Sequence, residues 1–176
     1  MANLRKLLLS PEIQAEKDKR KGVYVGRSMD STFYMGTSGS KGCKFNVGGS
    51  GYVMDEIAFE RLSGHILNCS KGVRSSADDM LIGCCATELG ILPYDTRGPN
   101  GGERFHPFDP QFCNDYRLPR DKEKAMREDW FYSYSLKPIR ELHDHCAPDT
   151  VAFHHLPPHY VHHLHKLWYQ CPELLR

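Results

Sequence analysis

The 176-residue chain has no stretch that approaches the roughly 20 consecutive apolar residues of a membrane-spanning helix. Its first ten residues carry two basic side chains and the short run Leu7-Leu8-Leu9. That is shorter than the apolar core of a secretory leader, about 7–15 residues, and no small-residue cleavage site follows it. An excess of charge of one sign is missing too. The 23 Lys and Arg against 22 Asp and Glu leave a net charge of +1 with ten neutral histidines. Attraction to nucleic acid or to an anionic membrane surface therefore has no electrostatic basis. The one basic run, Lys17, Lys19, Arg20 and Lys21, is interrupted by Asp18 and reads as a solvated loop. No C-x-x-C pair occurs, which argues against a zinc ribbon or a thioredoxin-like motif. Internal repeats and low-complexity tracts are absent as well.

What is present is an ordinary globular composition, 40% hydrophobic and 26% charged, long enough for one domain with its own core. Seven cysteines are dispersed along it: Cys43, Cys69, Cys84, Cys85, Cys113, Cys146 and Cys171. Dispersed cysteines in a Gly- and aromatic-rich domain suit an oxidising compartment, and an odd count leaves at least one without a partner in the chain. Asn68-Cys69-Ser70 fits the N-glycosylation pattern, which is also common by chance.

Local signals alternate between strand and helix, the pattern of an α/β fold with a mixed sheet, flanking helices and long loops. Asn3–Leu9 reads as the end of a helix, Pro11–Gly22 as a loop, and Val23–Val25 as a short strand ending at Gly26. Arg27–Gly42 reads as loop or hairpin. Three glycines in Gly48-Gly49-Ser50-Gly51 demand positive φ or close approach to a neighbour. Asp55 can cap the next helix, whose apolar face is Ala58, Leu62 and Ile66 with Phe59 beside it. Ser75 and Ser76 precede Asp78-Asp79 and a helical apolar stretch from Met80 to Leu89, closed by Gly90. Ile91–Pro93 begins an extended segment, and Asp95–Arg127 reads as long loops. Thr150–His154 reads as a buried strand, and His159–Tyr169 as a closing helix after Pro157-Pro158.

Several residues have a bland role and a chemical one. Asp78-Asp79 at a helix start is ordinarily a cap and its neighbour. A carboxylate there can also act as a general base that takes a proton from an attacking hydroxyl. The aromatic run Trp130 to Tyr134 is either core or a platform on which sugars stack. Histidines crowd the last third, at 143, 145, 154, 155, 159, 162, 163 and 165. His159, His162 and His163 can share a helix face, yet no HExxH and no acidic ligand at zinc spacing accompany them, so they do not read as a dedicated zinc site. His154, after a strand, can complete a metal site made elsewhere.

In order along the chain, Asn3-Leu4-Arg5-Lys6-Leu7-Leu8, Gly48-Gly49-Ser50-Gly51-Tyr52-Val53, Asp78-Asp79-Met80-Leu81-Ile82-Gly83-Cys84-Cys85, Asp95-Thr96-Arg97, Glu103 to Phe108, Trp130 and Val151 to His155 resemble blocks of the fringe-like β1,3-glycosyltransferase family, nearest its core 1 β1,3-galactosyltransferase branch. The resemblance covers nearly the whole chain. It implies a GT-A fold, an inverting transfer of galactose from UDP-galactose to GalNAc on glycoproteins, manganese, and a Golgi lumenal setting behind a membrane anchor. By match, Asp79 is the general base with Asp78 beside it. His154 is the manganese ligand, and His106 is a second choice. Trp130 stacks on the acceptor sugar, with Tyr132, Gly49 and Tyr52 near the substrates. Asp95, Arg97 and Glu103 line the donor side, and Cys69–Cys85 is a disulfide. The family's DxD precedes the Asn-Leu-Arg-Lys-Leu block, where Met1 and Ala2 stand here, so residues 1–176 read as the acceptor-side and catalytic part of one GT-A domain. A homodimer is compatible with this reading. A non-catalytic module that binds glycans or glycoproteins is the alternative.

Overall fold

The computed structural model describes residues 2–32, 42–69 and 77–170, the side chains of 167–170 excepted. The fold is mixed α/β, with small sheets among helices and long connections. Strand β1 (Tyr24–Gly26) is fully buried and lies at the centre of a three-stranded sheet. It pairs antiparallel with β4 (Tyr52–Met54) and parallel with β5 (Pro93–Tyr94). Pro93 lacks an N–H to donate and so sits where prolines are tolerated, on an edge strand. Strands β2 (Ser28–Asp30) and β3 (Lys44–Asn46) form an antiparallel pair, and β6 (Phe105–His106) and β7 (Ala152–Phe153) a parallel one. Among the described residues, the single mixed sheet expected from the sequence is thus divided into three small ones.

Helix α1 (Ala2–Leu8) is held to the approach of β7 by Asn3, whose Nδ2 donates to the Thr150 carbonyl at 2.8 Å. The segment expected as a loop after Pro11 contains helix α2 (Pro11–Asp18). Ser10 accepts a hydrogen bond from the Ile13 N–H, Pro11 sits in the first turn, and Ile13 is buried against Leu7, Val23 and Val25. The cap and the starting proline outweigh the polar composition. Lys17, Lys19, Arg20 and Lys21 are all exposed, as a solvated run should be.

Asp55 caps helix α3 (Glu56–Ser63), accepting from the N–H of Ala58 at 2.8 Å and from the N–H of Val23 at 3.0 Å. One carboxylate thereby fixes the helix start to the entry of β1. Ala58 and Leu62 face the core. Phe59 and Ile66 do not; both are exposed.

Helix α4 (Asp78–Glu88) lies directly on β3. Gly83 allows this close approach, since a Cβ there would collide with the Phe45 side chain and lie 2.7 Å from Phe45 Cα and 2.9 Å from the Lys44 carbonyl oxygen. Two disulfides pin the same helix, Cys43–Cys84 to the β3 side and Cys69–Cys85 to the segment after α3. The second is the pairing implied by the family resemblance. A third, Cys113–Cys146, ties a short helix at residues 112–115 to the segment that leads into β7. Ser70 of the glycosylation tripeptide, Ser75, Ser76, Cys171 and residues 33–41 of the expected loop or hairpin lie outside the described residues. Replacing Gly83→Ala is expected to destabilise the chain by about 1–3 kcal/mol through overpacking, because the obstacle is backbone that cannot rotate away. A urea denaturation series checks this.

Within Asp95–Arg127, besides β6, the chain forms helices α5 (Phe112–Asp115) and α6 (Lys122–Glu128). The aromatic run is helix α7 (Trp130–Tyr134), started by Asp129, which accepts from the Tyr132 N–H at 3.1 Å. The closing helix α8 (Pro158–Gln170) is present as expected. No helix among the described residues is long and apolar enough to cross a membrane.

Candidate functional site

The glycine turn after β3 is the meeting point of the site. The Gly48 N–H donates to Asp79 Oδ2 at 2.8 Å, and Asp79 Oδ1 accepts from the Met80 N–H at 2.8 Å. Asp79, at the first turn of α4, is therefore held by one donor from its own helix and one from the turn. Each oxygen retains a second lone pair to offer. Asp78 stands outside this clasp; it is exposed, and its Oδ1 accepts from the Asp79 N–H at 2.9 Å. On the next residue, a Cβ at Gly49 would collide with the His154 imidazole. Two adjacent glycines thus touch Asp79 on one side and His154 on the other, the close approach that their lack of a side chain permits.

His154 follows β7, and its backbone N–H is shared between the carbonyls of His106 at 3.0 Å and Phe108 at 3.2 Å. Its ring packs at a tilt against His155 with centroids 3.9 Å apart, and His155 has a left-handed backbone with φ 55°. The Phe108 ring packs on the Trp130 indole at 5.8 Å. Trp130 remains 47% exposed, enough to present one face to a ligand. Asp79, Gly48, Gly49, His154, Phe108 and Trp130 form one continuous run of contacts.

Tyr52, at the start of β4, is half-buried and packs edge-on against Tyr24 at 5.4 Å. Burial first, and then the negative charges of Asp78 and Asp79, push its phenol up. It also lines an apolar groove of about 590 Å³ with Phe59, Ile66 and Ile82. Tyr132 is half-buried and packs against the core around Phe131.

The remaining expected residues fall elsewhere. Asp95 accepts from Arg97 Nε at 3.0 Å and Nη2 at 2.8 Å, and these hydrogen bonds hold its carboxyl below the usual range. The pair lines a groove of about 340 Å³ with Lys6, Glu12, Arg104 and Asp149, and neither Asp79, His154 nor Trp130 contributes to that lining. Glu103 does not line that groove; it is buried against Arg27. Burial pushes its carboxyl up while Arg27 and Arg97 pull it back. Arg27 carries no local signal in the sequence, yet it is fully buried, donates to Ser135 Oγ at 2.8 Å, and lies 5.1 Å from the centre of the Phe131 ring. Nothing in its neighbours Gly26 and Ser28 announces a buried cation.

His106 is buried in the β6–β7 pair, stacked on Phe153 at 4.7 Å. Its Nε2 bonds Thr150 Oγ1 at 3.2 Å and its Nδ1 lies 3.5 Å from Cys146 Sγ. Burial, His145 and Arg27 together depress it to about 3. His145 is lowered as well, by burial first. A histidine held neutral in the fold but free to protonate when unfolded stabilises fully above its ordinary value of 6.5, and that stability is lost as pH falls from there toward about 3. Between pH 6.5 and 4.5 the chain is expected to lose stability at about 1.4 kcal/mol per pH unit for His106 alone. His106→Asn is expected to flatten that slope in urea denaturation at pH 7, 6 and 5.

The fold and these residues together define the class: a mixed α/β protein in which an acid and an imidazole meet at a glycine turn, with an indole connected to the imidazole through Phe108. No family model matches the chain. It is similar to glycoprotein-N-acetylgalactosamine 3-beta-galactosyltransferase 1 of Xenopus laevis, with 29% identity over 131 residues. The match covers 70% of this chain and 35% of the relative, so it spans about a third of the relative's length. This similarity relates the chain to galactosyltransferases.

Proposed function

We propose that the chain is the acceptor-side and catalytic part of an inverting galactosyltransferase of GT-A fold, which moves galactose from UDP-galactose to O-linked GalNAc on glycoproteins in the Golgi lumen. The observation that carries this reading is the glycine turn, where Asp79 bonds the Gly48 N–H and His154 packs on Gly49. Similarity to a galactosyltransferase supports it, and three disulfides suit a lumenal setting.

In this reading Asp79 takes the proton of the GalNAc hydroxyl as its oxygen attacks the anomeric carbon from the face opposite UDP, which inverts that centre. Trp130 holds the acceptor ring by stacking, with Tyr52 and Tyr132 nearby. His154 is the residue that would hold manganese, which when bound supplies positive charge to a departing diphosphate. The imidazole would suit that task with its ring packed against Gly49, and a metal that favours oxygen would need further carboxylate and phosphate ligands beside it.

The test is transfer from UDP-galactose to a GalNAc-bearing peptide with manganese, read by mass spectrometry, beside peptide binding read by saturation-transfer NMR. Wild type is expected to do both. Trp130→Ala is expected to lose binding by about 1 kcal/mol or more, with the fold intact. Gly49→Ala, whose methyl group displaces the His154 ring, is expected to lower transfer at least tenfold while peptide binding is retained. Binding without transfer leaves the non-catalytic glycoprotein-binding reading; neither binding nor transfer defeats both.

A further inference from the structure

Behind His154 lies a second cluster that the galactosyltransferase reading does not use. One ligand atom each from His106, His145 and Cys146 falls within 4.8 Å of the others, and Cys146 is bonded to Cys113. Hydrogen bonds fix which ring nitrogen of each histidine carries the proton. Thr150 Oγ1 donates to the Ala147 carbonyl at 2.7 Å, so it must accept from His106 Nε2, which leaves the Nδ1 lone pair facing Cys146 Sγ at 3.5 Å. His145 Nδ1 donates to the Arg140 carbonyl at 2.9 Å. Its Nε2 is then a lone-pair acceptor, 99% buried and without a hydrogen-bond partner. A buried acceptor left unsatisfied costs about 1–3 kcal/mol and calls for an explanation.

We propose that Cys113, Cys146, His106 and His145 form a latent zinc site, closed while the two cysteines are joined and opened when that disulfide is reduced. Two thiolates and two neutral imidazoles are the donor set of tetrahedral structural zinc. Each imidazole already donates its other N–H to an oxygen, the outer-shell arrangement that orients metal-bound histidines. His106, His145 and Cys146 need only a small contraction from their present spread to reach zinc ligands at about 2.0–2.3 Å, while the Cys113 sulfur, once released from Cys146, must swing away from it to take the fourth position. The opening step balances with a phosphine as reductant. Disulfide, phosphine and water yield two thiols and phosphine oxide, and zinc then displaces the two thiol protons. The inference is independent of the galactosyltransferase reading. It also differs from the manganese role suggested for His106, since thiolate and imidazole select a softer metal.

Cys113→Ser opens the site without reductant and leaves the other two disulfides intact. Titrated with cobalt as a stand-in for zinc, this variant is expected to show a thiolate charge-transfer band and tetrahedral d–d bands. Oxidised wild type is expected to show neither, phosphine-reduced wild type both, and Cys113→Ser/His145→Gln a loss of both. Circular dichroism guards the conclusion: if Cys113→Ser is unfolded alone, zinc is expected to restore its structure. Absence of metal binding to Cys113→Ser and to the reduced chain, or binding unchanged by His145→Gln, overturns the proposal.

Discussion

Asp79→Asn is expected to lower galactose transfer about 10²–10⁴-fold, the range typical for loss of a positioned general base. The amide keeps the shape of the carboxylate but cannot take a proton from the acceptor hydroxyl. One of its two ends must also face an N–H donor, Gly48 or Met80, with a hydrogen of its own. That mismatch costs stability of about 1–3 kcal/mol at most, so the fold survives and the rate loss can be assigned to chemistry. Asp78→Asn is the control, because Asp78 is exposed and outside the Gly48 bond. Initial rates measured beside thermal melts separate the two effects. A rate for Asp79→Asn within a few-fold of wild type removes Asp79 from the role of base.

The largest stability loss is expected at Arg27. Replacing Arg27→Met leaves Glu103 buried with its direct partner gone, a change that costs about 3–5 kcal/mol. The Ser135 hydroxyl loses the donor it accepts from, though it still donates to the Phe131 carbonyl, and the face of Phe131 loses its cation. Because Phe131 adjoins Trp130 in α7, acceptor binding is expected to weaken with the fold. The deficit depends on pH. Burial raises Glu103 above its ordinary 4.5, so the folded state holds this proton more tightly than the unfolded chain does. Stability from that proton is present below 4.5 and is lost as pH rises through the raised value. The Arg27→Met deficit is therefore expected to be larger at pH 7 than at pH 5, and Arg27→Met/Glu103→Gln to recover much of it. Urea denaturation at both pH values measures this.

Local rules identified many of the elements and failed where the reasons were distant in sequence. The Asp55 cap, the helix opening at Asp78, its end near Gly90 with φ 72°, and the closing helix were all legible from neighbours a few residues apart. Helix α2 was legible in principle from Ser10-Pro11, but the polar residues around it concealed the signal. The glycines at 48 and 49 announced a close approach without saying to what. Arg27 and His145 gave no warning, since burial of a polar side chain depends on partners 76 residues away for Arg27 and on the aromatic packing around His145.

By itself the sequence determined the balanced charge, the alternation of helix and strand, the caps and the residue types available for chemistry, because each depends on composition or on spacing within a turn or two. Only the tertiary structure decided that Asp79 and His154 share a glycine turn, that Glu103 is buried against Arg27, and that Cys43 is joined to Cys84 and Cys113 to Cys146. The physical reason is the same in each case. Contacts between residues far apart in the chain form only when buried surfaces close on one another, and no local propensity encodes which distant partner will be there.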